Sequence, residues 1–358
     1  MKNPFIKISP CGGQYTDSSC SINRVPIARL PLYGVEDSIE GKTVSQIFST
    51  AVITEDIKQN AASLDIDLSK FTERSLIFEF VRKIGEGNEA AIEMMKKYGR
   101  RLGLIFLTLK TALPENREAR RDWNGECWEY WQSIKRIILV GGMTSGIMGA
   151  ILKAEALSVF EKAGVEPYDF VLYDNASFVG IMGGASQIKA EDGTFFVFDF
   201  GQTNLKRSII KKQGGEIVHT KMLESIPSRF MQTMESNAPD APPEAKKLDF
   251  YLKRCICETI DCALYDDKIG DEIIISIANY VCGGCLNGER GGYAKLKSLC
   301  DNYGEYLEHE LSGILRRKVK VRLIHDSTAA ALYFSDYEDS VCITVGTAFG
   351  VGFPEIQP

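Results

Sequence analysis

The 358-residue sequence predicts an α/β fold of two domains. Three observations lead there. Short apolar runs that end on Gly or Asp alternate with longer stretches whose apolar residues recur at helical spacing. Twice a strand-like run passes directly into a helix-like one, at Gly141-Gly142 and at His325-Asp326-Ser327-Thr328. The length also suffices for two cores of ordinary size.

Residues 1–50 carry short apolar pieces, 5–8 and 27–32, among Gly, Ser and Pro, and read as strands and loops. Val44, Ile47 and Phe48 have the spacing of a short helix. From Phe71 helices dominate; Gly85 and Gly87 divide them, and Asn88 stands as a cap before Glu89. A strand at 136–140 ends in Gly141-Gly142 and opens a helix at 145–163. That arrangement brings backbone up to a nucleotide in open α/β sheets, and it equally marks plain α/β packing. A strand at 168–172 leads through Asp174-Asn175 to a helix at 176–187, where Gly180, Gly183, Gly184 and Ala185 allow a neighbour to approach closely. A polar link, 189–194, enters a strand–turn–strand at 195–210, with a third strand at 216–220 after Gly214-Gly215. A Pro-rich surface loop (236–247), a helix (245–264), a buried strand (272–278), a Gly-rich loop (281–292) and a helix (294–315) follow. The strand at 318–324 carries alternating basic residues, which face solvent. An Ala-rich helix at 329–334 and a Gly-rich strand–turn at 341–353 close the chain.

Composition narrows the function. Apolar residues make up 44% and charged residues 25%, as in soluble globular proteins. A net charge of −6 argues against a nucleic-acid partner, whose binding rests on phosphate neutralisation. No apolar run is long enough to span a bilayer, and MKNPFIKISP has no signal-like apolar core. A cytoplasmic enzyme is the expectation. Ten scattered cysteines fit a reducing compartment. Cys255-Ile256-Cys257 and Cys282-Gly283-Gly284-Cys285 have the spacing of metal or redox pairs. The first pair lies with Cys262 on an expected helix, where burial explains it; the second also reads as a Gly-Gly turn.

Three stretches carry chemistry. In FFVFDFGQTNLKRSII (195–210) an apolar run meets Asp199, then Gly201, Thr203, Asn204 and Lys206 as D-x-G-x-T-x-x-K. Turn amides, a hydroxyl and a cation suit a bound anion, and Asp199 could hold a metal ion against it. A hairpin with a polar tip gives the same pattern. Asp326 falls at a strand's carboxyl end and a helix N-terminus, where open α/β sheets place ligands; a plain N-cap is the alternative. In VCITVGTAFGVGF (341–353) Gly346 and Thr347 form a second phosphate-cradling turn or a Gly-rich hairpin.

Together these segments resemble the sugar-kinase/actin/heat-shock-protein ATPase superfamily, and within it the ROK sugar kinases. Residues 199–206 are similar to the first phosphate motif, with Gly201, Gln202, Thr203, Asn204 and Lys206 as ATP-phosphate contacts. IHDSTAAAL (324–332) is similar to the segment that carries the catalytic aspartate, here Asp326. Residues 345–352 are similar to the second phosphate motif, with Gly346, Thr347 and Gly350, although Ala348 and Val351 stand where the family usually has glycine. Residues 137–145 look like the adenosine motif (Gly141, Gly142, Met143), and 174–185 like the closing helix. The cyclic order agrees with the family, but the chain begins elsewhere. The resemblance therefore implies a circularly permuted two-domain actin-like ATPase fold with ribonuclease H-like halves. Residues 1–174, completed by 338–358, would form the nucleotide-side domain, and 175–337 the phosphate-1 and acceptor domain. The former ends would be joined through about 186–194.

The resemblance further implies ATP and Mg²⁺, the ion oriented by Asp199 through water, with Asp326 taking a proton from a sugar-like hydroxyl. A homodimer is implied as well. The family's zinc motif and its Glu/His sugar pair are absent around 1–30. His325 replaces a sugar-contacting Asn, and Asn287 is the remnant of the sugar loop; both are expected substrate contacts. The alternative is a nucleotide- and ligand-binding protein of the same fold without transfer.

Overall fold

The computed structural model describes residues 2–10, 12–263 and 268–358, which build a mixed α/β structure. β1 (Ile6–Ile8) and β2 (Gln14–Thr16) form an antiparallel hairpin. A helical stretch follows: α1 (Val44–Ile47), α2 (Thr50–Gln59), α3 (Glu73–Gly85), α4 (Glu89–Thr111), α5 (Pro114–Ala119) and α6 (Gly125–Ser133). The break between α3 and α4 falls where glycine predicts it. Gly87 takes φ +81°, and Asn88 Oδ1 accepts from Ala91 N at 2.9 Å. Then come β3 (Arg136–Val140), α7 (Gly146–Ala163), β4 (Asp169–Tyr173) and α8 (Ala176–Ala185). β5 (Gly193–Phe200), β6 (Asn204–Gln213) and β7 (Glu216–Pro227) form a meander. β8 (Met234–Glu235), α9 (Ala241–Asp261), β9 (Ile269–Ile277), β10 (Val281–Cys282), β11 (Cys285–Leu286) and β12 (Arg290–Gly291) lead to α10 (Tyr303–Leu315). β13 (Lys320–His325), α11 (Asp326–Leu332), β14 (Ser340–Val345) and β15 (Phe349–Gly352) complete the order.

Several expectations are corrected. Residues 27–32 form no strand; nearby, only a bridge pairs Pro26 with Thr43. α9 starts at Ala241 rather than 245, because Pro242 and Pro243 occupy its first turn, where a missing N–H costs nothing; its expected end at 264 lies outside the described residues. The helix expected over 294–315 is two pieces, a 3₁₀ turn (Ala294–Ser298) and α10, which Asn302 caps by accepting from Glu305 N at 3.1 Å. The Gly-rich loop contains a hairpin: Cys282 faces Cys285 across Gly283-Gly284, both glycines at positive φ. Of the basic residues near β13, Lys318 and Lys320 are exposed, while Arg322 is half-buried and donates to Gln187 Oε1 at 3.1 Å.

The chain divides into two compact units. The first comprises Met1–Pro4, Ser19–Ala176 and Asp339–Val351. Its sheet has the order β15-β14-β3-β4, with β14, β3 and β4 parallel, so two of its strands precede the segment Ser177–Glu338 of the second unit in sequence and two follow it. α4 lies tightly on α7: a Cβ on Gly103 would sit 2.8 Å from Val159 Cβ.

The second unit comprises Phe5–Ser18, Ser177–Glu338 and Gly352–Pro358. Residues 5–18 and 352–358, expected with the first domain, pack here. The rings of Phe5 and Phe353 stack at 5.8 Å, and Gln14 N donates to Gln357 O at 2.9 Å. The five-stranded sheet has the order β13-β9-β5-β6-β7; β5, β6 and β7 are antiparallel, and β9 and β13 run parallel to β5. Both faces are covered, which explains the unbroken apolar run of β5. Phe196, Phe198 and Phe200 face Leu252, Ile256 and Leu307 of α9 and α10, while Phe195 and Val197 face Ile181, Ala185 and Ala329 of α8 and α11. Each such buried side chain contributes about 1.5–3 kcal/mol. The small residues of α8 act as their spacing predicts. A Cβ on Gly183 would lie 1.7 Å from Ala329 O, and one on Gly184 would lie 2.9 Å from Val197 Cγ1. Among the described residues no helix is long and apolar enough to cross a membrane.

Candidate functional site

Within the second unit, parallel register places the carboxyl ends of β5, β9 and β13 in one row, with Asp199 beside Ser276 and Ile277 beside His325. Asp199 is the penultimate residue of β5, and the tight turn puts Lys206 directly opposite it on β6. Lys206 Nζ reaches Asp199 Oδ2 at 2.6 Å, while Ser276 Oγ donates to Asp199 Oδ1 at 3.2 Å. Burial acts to lower the Lys206 ammonium, but the charges of Asp199 and Asp326 outweigh it and raise its pKa. All three charged groups therefore belong to one electrostatic cluster.

The phosphate-1 turn is held from behind. Gly201 O accepts from Ser228 Oγ at 2.8 Å and from Tyr293 Oη at 2.9 Å; Ser228 N donates to Thr203 O at 2.9 Å, and Gln202 Nε2 to Ala278 O at 3.3 Å. The Gly201 amide, expected to meet a phosphate, instead donates to Asn204 O at 3.1 Å inside the turn. Gly201 is not left-handed, and its requirement for glycine is steric, since a Cβ would lie 3.1 Å from Asn204 O. Thr203 is exposed at the tip.

Asp326 opens α11 directly after β13. Its Oδ1 accepts from Ser327 N at 2.6 Å and from Ser327 Oγ at 3.2 Å. Burial first, then repulsion by Asp199, push its pKa up to about 7, against the opposing pull of Ser327 and Lys206. The side chain still keeps 30% of its surface exposed, as an acid that exchanges protons must. His325, expected as a substrate contact, is instead engaged by the protein. Nε2 lies 3.3 Å from Asp326 Oδ1, Nδ1 lies 3.2 Å from Thr328 Oγ1, and the Tyr280 ring stacks on it at 4.5 Å. Burial lowers its pKa to about 3, so the imidazole is neutral near pH 7 and its contact with Asp326 is not an ion pair. Asn287 is exposed, and its backbone N donates to Tyr280 O at 2.8 Å.

In the first unit, Gly141 and Gly346 follow the adjacent parallel strands β3 and β14. Gly141 takes φ +149°, and a Cβ there would lie 2.1 Å from Val345 O, so only glycine lets these strand ends run together. Gly142 is exposed and Met143 is buried. The first amide of α7 is already taken, because Gly146 N donates to Asp174 Oδ1 at 2.9 Å. A protein carboxylate thus occupies the end of the helix that follows the expected adenosine segment. Thr50 braces the second turn: its hydroxyl donates to Gly346 O at 3.0 Å and its amide to Thr347 O at 3.1 Å. Thr347 is exposed, and Gly350 lies within β15 rather than in the turn.

The described cysteines are free thiols, and no three potential metal-ligating side chains cluster among the described residues. Burial pushes the Cys255 thiol up to about 12, consistent with a core residue. Motif reading missed Ser276, Tyr280, Thr328 and Thr16. Only Thr328, two residues after Asp326, carried a local signal.

No family model matches the chain, and no curated protein matches it. Among solved structures, 50% of the chain is similar to 49% of a chain of the PilM–PilN type IV pilus biogenesis complex, at 12% identity and a TM-score of 0.29. Similarity to the ethanolamine utilization protein EutJ from Carboxydothermus hydrogenoformans covers 64% of this chain and 75% of that one, at 16% identity and a TM-score of 0.27. For an exopolyphosphatase from Cytophaga hutchinsonii the shares are 46% and 51%, at 14% identity and a TM-score of 0.25. The chain spans about half the length of the first of these. At such values the likenesses assign no activity.

Proposed function

We propose that the protein transfers the γ-phosphoryl group of ATP to a hydroxyl of a small sugar-like molecule, with Asp326 as general base, on a circularly permuted actin-like ATPase fold. The observation that carries this reading is the cluster at the strand ends of the second unit. A carboxyl with a pKa of about 7 shares its field with an Asp199–Lys206 ion pair 2.6 Å long. A base poised near neutrality is what proton abstraction from an alcohol requires. The sheet of the second unit supports a ribonuclease H-like half, with three antiparallel strands and two more parallel to the first. The first unit draws its sheet from both sides of the segment Ser177–Glu338 in sequence, which supports the permuted order.

The residues present fit Mg-ATP. Mg²⁺ keeps several waters and asks for one or two carboxylates, so Asp199 suffices without a three-ligand cluster. When bound, Mg-ATP supplies the phosphoryl group and much of the charge neutralisation. Asp326 accepts the acceptor's proton. Lys206 orients Asp199 and offsets negative charge, and the tip of the turn at Gln202 and Thr203 meets phosphate oxygens. Gly141, Gly142, Gly346 and Thr347 of the first unit are further nucleotide contacts, tested separately by ATP affinity.

A second reading, nucleotide binding without transfer, is favoured by one observation: His325, expected as a substrate contact, is engaged by Thr328 and the Tyr280 ring instead. ADP release, measured across a panel of sugars and amino sugars, separates the two. The kinase reading expects acceptor-dependent ADP release that falls about 10²–10⁴-fold in Asp326→Asn, with ATP affinity retained. Retained ATP binding with no acceptor-dependent turnover would establish the binding protein.

A further inference from the structure

We infer that His325 is a positioning residue that fixes the Asp326 carboxylate with Oδ2 as its reactive oxygen, and that Thr328 and Thr16 lock the imidazole in the tautomer this needs. The inference rests on the reading of Asp326 as the base. Its ground is a continuous line of side-chain contacts: Thr16 Oγ1 to Thr328 Oγ1 at 2.9 Å, Thr328 Oγ1 to His325 Nδ1 at 3.2 Å, and His325 Nε2 to Asp326 Oδ1 at 3.3 Å.

Donor counting assigns every proton. Above about pH 7 Asp326 is ionised and only accepts, so the Nε2 that faces it at 3.3 Å carries the imidazole's single N–H. Nδ1 is then a bare acceptor, so the Thr328 hydroxyl points at it. Thr328 oxygen in turn accepts from Thr16. The opposite tautomer would set the Nε2 lone pair against the carboxylate. Stacking on Tyr280, with the planes 23° apart, holds the ring in place.

The consequence lies in the distribution of bonds on Asp326. Ser327 N, Ser327 Oγ and His325 Nε2 all meet Oδ1. The two Ser327 donors lower the basicity of that oxygen and fix the plane of the group, the imidazole edge lies against the same oxygen at 3.3 Å, and Oδ2 is left to take the acceptor's proton. Besides His325, the charged and titratable groups that interact with Asp326 are Asp199 of β5, Lys206 of β6 and Tyr293 after β12; Tyr280, after β9, stacks on the imidazole. Thr16 comes from the N-terminal hairpin, so a segment remote in sequence tunes the base.

The test uses the full chain labelled with ¹⁵N-histidine. The protein has three histidines, and His325→Gln assigns the signal. At pH 8.5, where Asp326 is ionised, the expected spectrum shows His325 protonated on Nε2 and bare on Nδ1. Thr328→Val and Thr16→Val should disturb that pattern, and Thr328→Ser should keep it. The Asp326 carboxyl ¹³C titration, assigned with Asp326→Asn, should move to higher pH in Thr328→Val and return in Thr328→Ser. With an acceptor found in the sugar panel, the two valine variants should lose about tenfold in kcat at unchanged KM for ATP. A wild-type Nδ1–H tautomer, or an Asp326 titration untouched by Thr328→Val, overturns the inference. Absence of transfer in the wild type removes the kinase reading, while the two spectra still decide the relay.

Discussion

Under the proposed function, Asp326 is the residue at which stability and activity oppose each other. Its carboxyl is raised from the usual carboxylate range to about 7, so the folded protein binds a proton there that the unfolded chain releases. Stability from this group is fully present below about pH 4 and is lost as pH rises through 7. A rise of that size corresponds to about 4 kcal/mol at most. With 30% of the side chain exposed, screening brings the figure to about 2 kcal/mol. Asp326→Asn keeps an oxygen for the Ser327 bonds and removes the charge. Urea melts should therefore show it more stable than wild type by roughly that amount at pH 8, and equal to it at pH 4. With Asp326 as the proposed base, the same titration would act on catalysis in the opposite sense, because the base must be ionised: kcat/KM should fall tenfold per pH unit below about pH 7. An acid limb near pH 4 would remove Asp326 from the role. Lys206 offers a second handle. Its charge lowers the Asp326 pKa, so Lys206→Gln should move the acid limb to higher pH; an unmoved or lowered limb would mean that the two groups do not share a field.

Among elements, α8 and the last strand depend on glycines packed against backbone. A Cβ on Gly183 would come within 1.7 Å of Ala329 O, and one on Gly352 within 1.9 Å of Ser327 O, both carbonyls of α11. Neither neighbour is a side-chain tip that can swing away. Gly183→Ala and Gly352→Ala should each cost about 1–3 kcal/mol or more. Gly214→Ala, at a positive φ but in open space, should cost only about 1 kcal/mol. Equal losses at all three positions in thermal melts would refute the close-packing account. These elements were legible in the sequence because their signals are local. The Asp199–Lys206 pair could be read because one tight turn brings the two into register, and the α3–α4 break because Gly87 and Asn88 announce it. The start of α9 was hidden because prolines mark both loops and first helical turns. Ser276 and Thr16 could not be seen at all, since parallel pairing and the packing of a distant hairpin bring them to Asp199 and Thr328.

At the scale of the whole molecule, the first unit's sheet is assembled from β3 and β4 before the segment Ser177–Glu338 and from β14 and β15 after it. If only spatial pairing matters, the point at which the chain begins is free to change. Glu191 and Asp192 are exposed, so the chain can be opened between them without cutting a core strand. Pro358 lies against Gly13, where a Cβ would meet its carbonyl carbon at 3.1 Å, and the partner strand of that hairpin begins at Ile6. A Gly/Ser linker of about ten residues reaches roughly 17 Å and can rejoin the present ends. The resulting chain would run phosphate 1, Asp326, phosphate 2, adenosine segment and α8, the order of the family it resembles. It should fold, with an unfolding free energy within about 2 kcal/mol of the parent and equal ATP affinity by calorimetry. Loss of soluble, cooperatively unfolding protein in that variant, with longer linkers failing as well, would show that the present chain order is itself a structural requirement, and the permutation reading would lose its support.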